Sequence, residues 1–330
     1  MNITFKLMII YVKNCLSQEC LSLDNRLLKK IYDNPYLLLL VCTACWGGNA
    51  VAARLSVGEI SPLLLTSLRW AGVTLIIWLM AYPTIIRYKK ILVKRWLYLF
   101  CMGAIGFTGF NILFYISAHS TTAINIGILQ GALPVFVLLG AFFIFRETIL
   151  PIQLVGIMIT ILGVVIVATE GNINHLRSLQ FNKGDVLILG ACLIYAIYTI
   201  FLRNKPNVPG MVMFAVIAVS AMLASLPFAF FEFLSASTVW PTHQGWIVVL
   251  FVVIFPSFLS QLFFIRGVHL IGASRAGVFI NLVPIFASAF SAIFIGEKFK
   301  MYHSIGLIFV LTGIWIAERL GQRIKDDNDK

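Results

Sequence analysis

The sequence predicts an all-α integral membrane protein of ten transmembrane helices, built as two inverted five-helix repeats. Three observations carry that expectation. The 330-residue chain is 60% hydrophobic and 12% charged, with a mean hydropathy of +0.95, whereas an average soluble domain carries roughly 25% charged residues. Apolar runs long enough to cross about 30 Å of hydrocarbon follow one another along the chain. And residues 111–170 are echoed, without a gap, 150 positions later.

The apolar runs lie near 36–54, 62–82, 97–118, 122–144, 150–169, 185–203, 210–232, 245–267, 274–295 and 302–318. Pro, Gly or charge bounds several of them: Pro35, Pro62, Pro83, Arg146-Glu147, Lys205-Pro206 and Glu318-Arg319. No connection is long enough for a soluble domain. Residues 1–34 read as a basic cytoplasmic arm, because Ile3–Val12 is too short to span and Lys6 interrupts it; a start codon set too far upstream is the alternative. Residues 319–330 read as a cytoplasmic tail.

In the echo, His119 falls on His269, Pro134 on Pro284, Phe136 on Phe286, Glu147 on Glu297, Gly156 on Gly306 and Gly163 on Gly313. Phe114/Phe264, Ala123/Ala273, Gly127/Gly277 and Ile166/Ile316 bring the identities to ten in sixty positions. The weight lies in the residue types, since glycine, proline, glutamate and histidine rarely coincide between apolar segments. The repeats are placed at 36–168 and 185–318.

The net charge of +12 does not point to nucleic acid, because the basic residues sit in short clusters between apolar runs. There they orient the chain: with the N-terminus inside, nineteen Lys and Arg fall on the cytoplasmic side, five outside, and Arg69 within the second span. Both termini are therefore expected in the cytoplasm. Five spans per repeat is an odd number, so the copies are inverted, the signature of secondary transporters with a site near the midplane.

Polar residues inside the spans are the candidate cavity lining, because a buried polar group needs a partner or water. Trp46 and Asn49 share one face of the first span, in Trp46-Gly47-Gly48-Asn49. Arg69 is either a snorkelling cation or a handle for a substrate carboxylate. Asn111 and Tyr115 share a face of the third span, and Gln261 is the repeat mate of Asn111. Gln130, Asn281 and the pair Tyr195 and Tyr198 complete the set. Pro134 and Pro284 read as hinges or static kinks. Glu147 and Glu297 read as gate-side ion pairs or structural caps, and His119 and His269 as helix-end caps, with proton relays the alternative. Cys42-x-x-Cys45 lacks partner histidines and reads as packing. All thirteen acidic residues lie outside the spans or at their ends, which disfavours a mid-membrane carboxylate exchange site. No phosphate loop, catalytic constellation or metal cluster is present in the sequence, so neither cofactor nor metal is expected.

Trp46-Gly47-Gly48-Asn49, Glu147 with Gly156 and Gly163, and Gly296-Glu297 with Gly306 and Gly313 together resemble the EamA family of the drug/metabolite transporter superfamily. The first copy departs from the family's usual run, with Arg146 before Glu147. The resemblance implies a ten-helix inner-membrane carrier that moves a small metabolite, often an amino acid, usually outward. Arg69, the amides and the aromatics favour an amphipathic, carboxylate-bearing substrate. Alternatives are an uptake carrier or exchanger for substrates such as S-adenosylmethionine or nucleotide-type compounds, and, from another class, a membrane scaffold or intramembrane enzyme. The expected partners are a small-molecule substrate and the lipid bilayer, with no nucleic acid and no obligate protein partner.

Overall fold

Proline and short polar caps set where the helices of the computed structural model begin. It describes residues 32–172 and 182–317, with the side chains of Ala273 and Ser274 left aside. The tail and nearly all of the basic arm lie outside the described residues. Among these, nine helices are long and apolar enough to cross a membrane. They are α1 (Pro35–Leu55), α2 (Pro62–Arg87), α3 (Trp96–Ser117), α4 (Ala123–Phe145), α5 (Pro151–Ala168), α6 (Lys183–Asn204), α7 (Gly210–Leu234), α8 (His243–Ile271) and α9 (Arg275–Phe294). The last, α10 (Met301–Trp315), has 15 residues and is shorter than the others. Pro62 and Pro151 open α2 and α5, where a missing N–H costs nothing. Thr122 accepts from Asn125 N at 3.1 Å and Thr242 from Gly245 N at 3.1 Å, capping α4 and α8.

The repeat is written in the backbone as well as in the residues. Two spans contain π-helical segments, Gly103–Gly109 in α3 and Val253–Leu259 in α8, again 150 positions apart. Two others are interrupted by 3₁₀ turns, Gln130–Ala132 in α4 and Phe279–Leu282 at the equivalent place in the ninth span. Pro134 and Pro284 each stand in the first turn of the helical piece that follows, Leu133–Phe145 and Val283–Phe294. They thus occupy a position that needs no N–H donor, directly after a break in the helix. The residue before each of the matched glutamates, Glu297 and Glu147, is left-handed: Gly296 has φ 67° and Arg146 φ 54°. Glycine adopts that conformation freely, so Arg146 is strained where its repeat mate is not.

The chain forms two units, each built from pieces of both repeats. One holds the residues up to Trp46, Gly58–Thr108 and Asn204–Ile280. In it α2 packs along α7, with Ser67 Oγ donating to Ser225 O at 3.1 Å. Leu65, Val73 and Ile77 are fully buried, as are Ala215, Ala218 and Ala221. Trp70 stacks on Phe107 at 4.6 Å. The buried Glu232 accepts from Leu64 N at 3.0 Å and caps α2.

The second unit holds Gly47–Val57, Gly109–Arg203 and the chain from Asn281 onward. Its main seam joins α5 to α10 through glycines. A Cβ on Gly156 would lie 2.6 Å from Gly313 O, and one on Gly163 2.8 Å from Gly306 O. Gly156 thus faces the mate of Gly163, and Gly163 the mate of Gly156. The equivalent helices of the two repeats run antiparallel, as an inverted pair requires. In lipid, close packing of small residues replaces the hydrophobic drive between helices. Large apolar side chains such as Leu79, Phe143, Ile293 and Met301 are more than 70% exposed, a surface suited to hydrocarbon.

Candidate functional site

Three of the candidate residues fall in the first unit. Trp46 Nε1 donates to Pro256 O at 3.0 Å, inside the π segment of α8, and its ring lies 5.4 Å from Phe264. Arg69 is buried at 5% exposure, with its guanidinium 5.4 Å from the Trp70 ring centroid. Gln261 is half-buried, two residues past the π segment.

The rest fall in the second unit. The Tyr115 hydroxyl donates to Asn49 Oδ1 at 3.2 Å, and both residues are buried. Asn111 is buried one turn before Tyr115. Tyr195 lies 5.2 Å from Tyr198 and 5.2 Å from Phe110, so α6 and α3 share an aromatic cluster. Gln130 and Asn281 sit at the helix breaks, in Gln130–Ala132 and at the end of the unit's ninth-span segment; Gln130 Nε2 donates to Ile126 O at 3.2 Å. Glu147 pairs with Arg203 near the ends of α4 and α6, and Arg203 also covers the Phe145 ring at 5.1 Å. Glu297 accepts from Ala123 N at 2.9 Å, Ile124 N at 3.0 Å and Ser291 Oγ at 2.8 Å. Its charge sits on the N-terminus of α4, where the helix dipole favours an anion.

A cavity of about 300 Å³ opens beside Glu297, between the starts of α4 and α10. Its wall includes Thr121, Asn125 and His303, and its rim carries Arg54, Glu170, Lys298 and Lys300. Behind the wall lies Asp185, 1% exposed, accepting from the Thr121 hydroxyl and from Asn125 Nδ2 at 3.3 Å. Asn125 Oδ1 faces His303 Nε2 at 3.1 Å. Sequence reasoning passed over this network. Asn125 is hidden in an apolar run, while Asp185 and His303 stand at span ends, where polar residues are ordinary. The available signal was slight: Thr121 lies in the bend just before the Thr122 cap and Asn125 in the first turn of α4, a polar cluster at a helix start.

Apolar helices in two antiparallel-related repeats, with spans broken at matching points and polar side chains inside them, are the architecture of a multi-pass membrane protein. The chain belongs to the EamA-like transporter family, whose model matches residues 34–169 and 182–318. "Uncharacterized transporter YyaM" of Bacillus subtilis (strain 168) is 27% identical over 86% of this chain and 93% of its own. The "Probable amino-acid metabolite efflux pump" of Escherichia coli (strain K12) is 26% identical over 85% of this chain and 93% of its own. Its namesake from Salmonella typhimurium is 25% identical over 84% and 93%. A solved crystal structure shares the fold, with a TM-score of 0.62 at 16% identity, over 88% of this chain and 98% of that one. Family membership makes this protein a transporter rather than an enzyme.

Proposed function

We propose that the protein exports a small carboxylate-bearing metabolite, an amino acid or a related amphipathic compound, by alternating access across the inner membrane. Both termini are cytoplasmic in this reading, in line with the distribution of Lys and Arg. The observation that carries it is the matched break in the fourth and ninth spans, each with an amide, Gln130 or Asn281, at the interruption. A broken helix leaves backbone carbonyls and dipole ends free to hold polar groups, which is how carriers of this architecture bind substrates. The buried guanidinium of Arg69 supports a carboxylate as the recognised group. The names of the efflux-pump relatives support the outward direction.

Unit boundaries inside spans support the motion. α1 passes from one unit to the other at Gly47, α3 at the end of its π segment, and the ninth span within its 3₁₀ turn. The last two are irregular points that can absorb backbone rotation without breaking a regular helix, whereas α1 runs unbroken through Gly47. Untargeted metabolite profiling of cells with and without the protein tests the reading. A carboxylate-bearing compound enriched in the medium of expressing cells is expected; the same compound enriched only inside them would replace export with uptake.

A further inference from the structure

Among the described residues, Asp185, third in α6, is held by neutral donors, the Thr121 hydroxyl and Asn125 Nδ2. No cation among the described residues forms an ion pair with it. Glu170, at the end of α5, acts on it as a like charge. The donors form a directed chain. His303 Nδ1 accepts from the Lys300 backbone N–H at 3.0 Å, which places the ring proton on Nε2, and Nε2 donates to Asn125 Oδ1. Asn125 turns its oxygen to His303 and its nitrogen to Asp185. Thr121 and Asn125, at the start of α4, thus hold the α6 carboxylate directly, and His303 of α10 reaches it through Asn125, one side chain behind the wall of a polar cavity.

We propose that Asp185 is a proton-binding site of the carrier, one hydroxyl (Thr121) behind the cavity and linked by hydrogen bonds through Asn125 to His303, and that its charge latches α4 and α6 to α10. The proton arrives from hydronium in the cavity, ends on a carboxylate oxygen, and leaves only water. A carboxylate accepts on both oxygens, whereas the acid turns one of them into a donor. With the proton on Oδ2, Asn125 Nδ2 loses one of its two acceptors and shares the remaining Oδ1 with the Thr121 hydroxyl, which weakens the hold that orients its bond to His303. α4 and α6 remain joined at their other ends by Glu147 and Arg203, and α5 and α10 by the glycine seam. The joint that yields is Asn125–His303.

The surrounding field comes from several elements. α10 and its N-cap contribute Tyr302 and Lys300, the turn after α5 contributes Glu170, and α6 itself contributes Lys183. Arg54, His119, Glu297 and Lys298 stand on the cavity rim from the remaining segments. The inference rests on the protein being a carrier and not on the identity of its substrate.

Difference infrared spectroscopy of the purified full chain, between neutral and mildly acidic buffer, reads the site without any substrate. The wild type should gain the carbonyl stretch of a protonated carboxylic acid, and that band should move when the protein is made with ¹³C-carboxyl aspartate. Asp185→Asn should lack it. The isotope shift keeps the test decisive if the variant does not fold. No band, a band unmoved by labelled aspartate, or an equal band in Asp185→Asn overturns the proton site. Amide hydrogen exchange at residues 123–126, normalised to the chemical rate at each pH, reads the latch. It should quicken in acid for the wild type, and an unchanged rate overturns that half of the proposal.

Discussion

Adding one methyl group to the α5–α10 seam gives the sharpest stability test. In Gly156→Ala the new Cβ would stand 2.6 Å from Gly313 O and 2.6 Å from Ala317 N. In Gly163→Ala it would stand 2.8 Å from both Gly306 O and Val310 N. Carbon normally approaches a carbonyl oxygen no closer than about 3.3 Å, so the helices must part by roughly 0.5–0.7 Å. The obstacles are backbone atoms, which cannot rotate away. Overpacking of this kind costs about 1–3 kcal/mol, against up to ~1 kcal/mol regained from alanine's helix preference. Taken at mid-range, about 2 kcal/mol lost against about 0.5–1 kcal/mol regained leaves each variant roughly 1–1.5 kcal/mol less stable. Gly277→Ala is the control, because a Cβ there meets nothing within 4 Å and φ is not positive. It should be neutral or stabilising by up to ~1 kcal/mol. Thermal unfolding of the full chain in detergent measures the order, at about 2–4 °C per kcal/mol. If Gly156→Ala and Gly163→Ala unfold with the wild type, or Gly277→Ala falls as far, the close antiparallel seam is wrong.

Three further outcomes follow from single side chains. Arg146→Gly should raise stability by about 1 kcal/mol in the same melting assay, because glycine relieves the left-handed strain at φ 54°. Glu297→Ala should cost roughly 1–2 kcal/mol, since Ala123 N and Ile124 N lose a charged cap at a helix N-terminus, and high salt should not restore it. Arg69→Gln should lower kcat/KM for a carboxylate substrate at least about tenfold, equivalent to ~1.4 kcal/mol, with Arg69→Lys intermediate. Equal flux in all three proteins would remove Arg69 from the site.

Span positions and the repeat were legible because both depend on local sequence. Hydropathy places the apolar runs, and Gly156, Gly163, Gly306 and Gly313 recur in one register. The seam itself also follows from those glycines, once antiparallel pairing puts each opposite the other repeat's copy. The π segments were not legible. Gly103–Gly109 is glycine-rich whereas Val253–Leu259 holds a single proline and no glycine, so two dissimilar texts reach one backbone. The helix breaks were half legible. Pro134 and Pro284 announce an irregularity, but a proline alone does not say that the 3₁₀ turn precedes it. The Asp185 network was missed for a tertiary reason. Its burial is created by Thr121, Asn125 and His303, which are 60 to 182 positions away along the chain from one another or from Asp185 in all but the Thr121–Asn125 pair. Arg146 was visible as a departure from the family pattern, and the structure supplies its meaning as a left-handed residue.

Flux in membrane vesicles of known sidedness tests the central claim most directly. Vesicles from cells with and without the protein are offered a mixture of radiolabelled amino acids. The account predicts protein-dependent accumulation in inside-out vesicles, which present the cytoplasmic face to the label. Accumulation confined to right-side-out vesicles would contradict it.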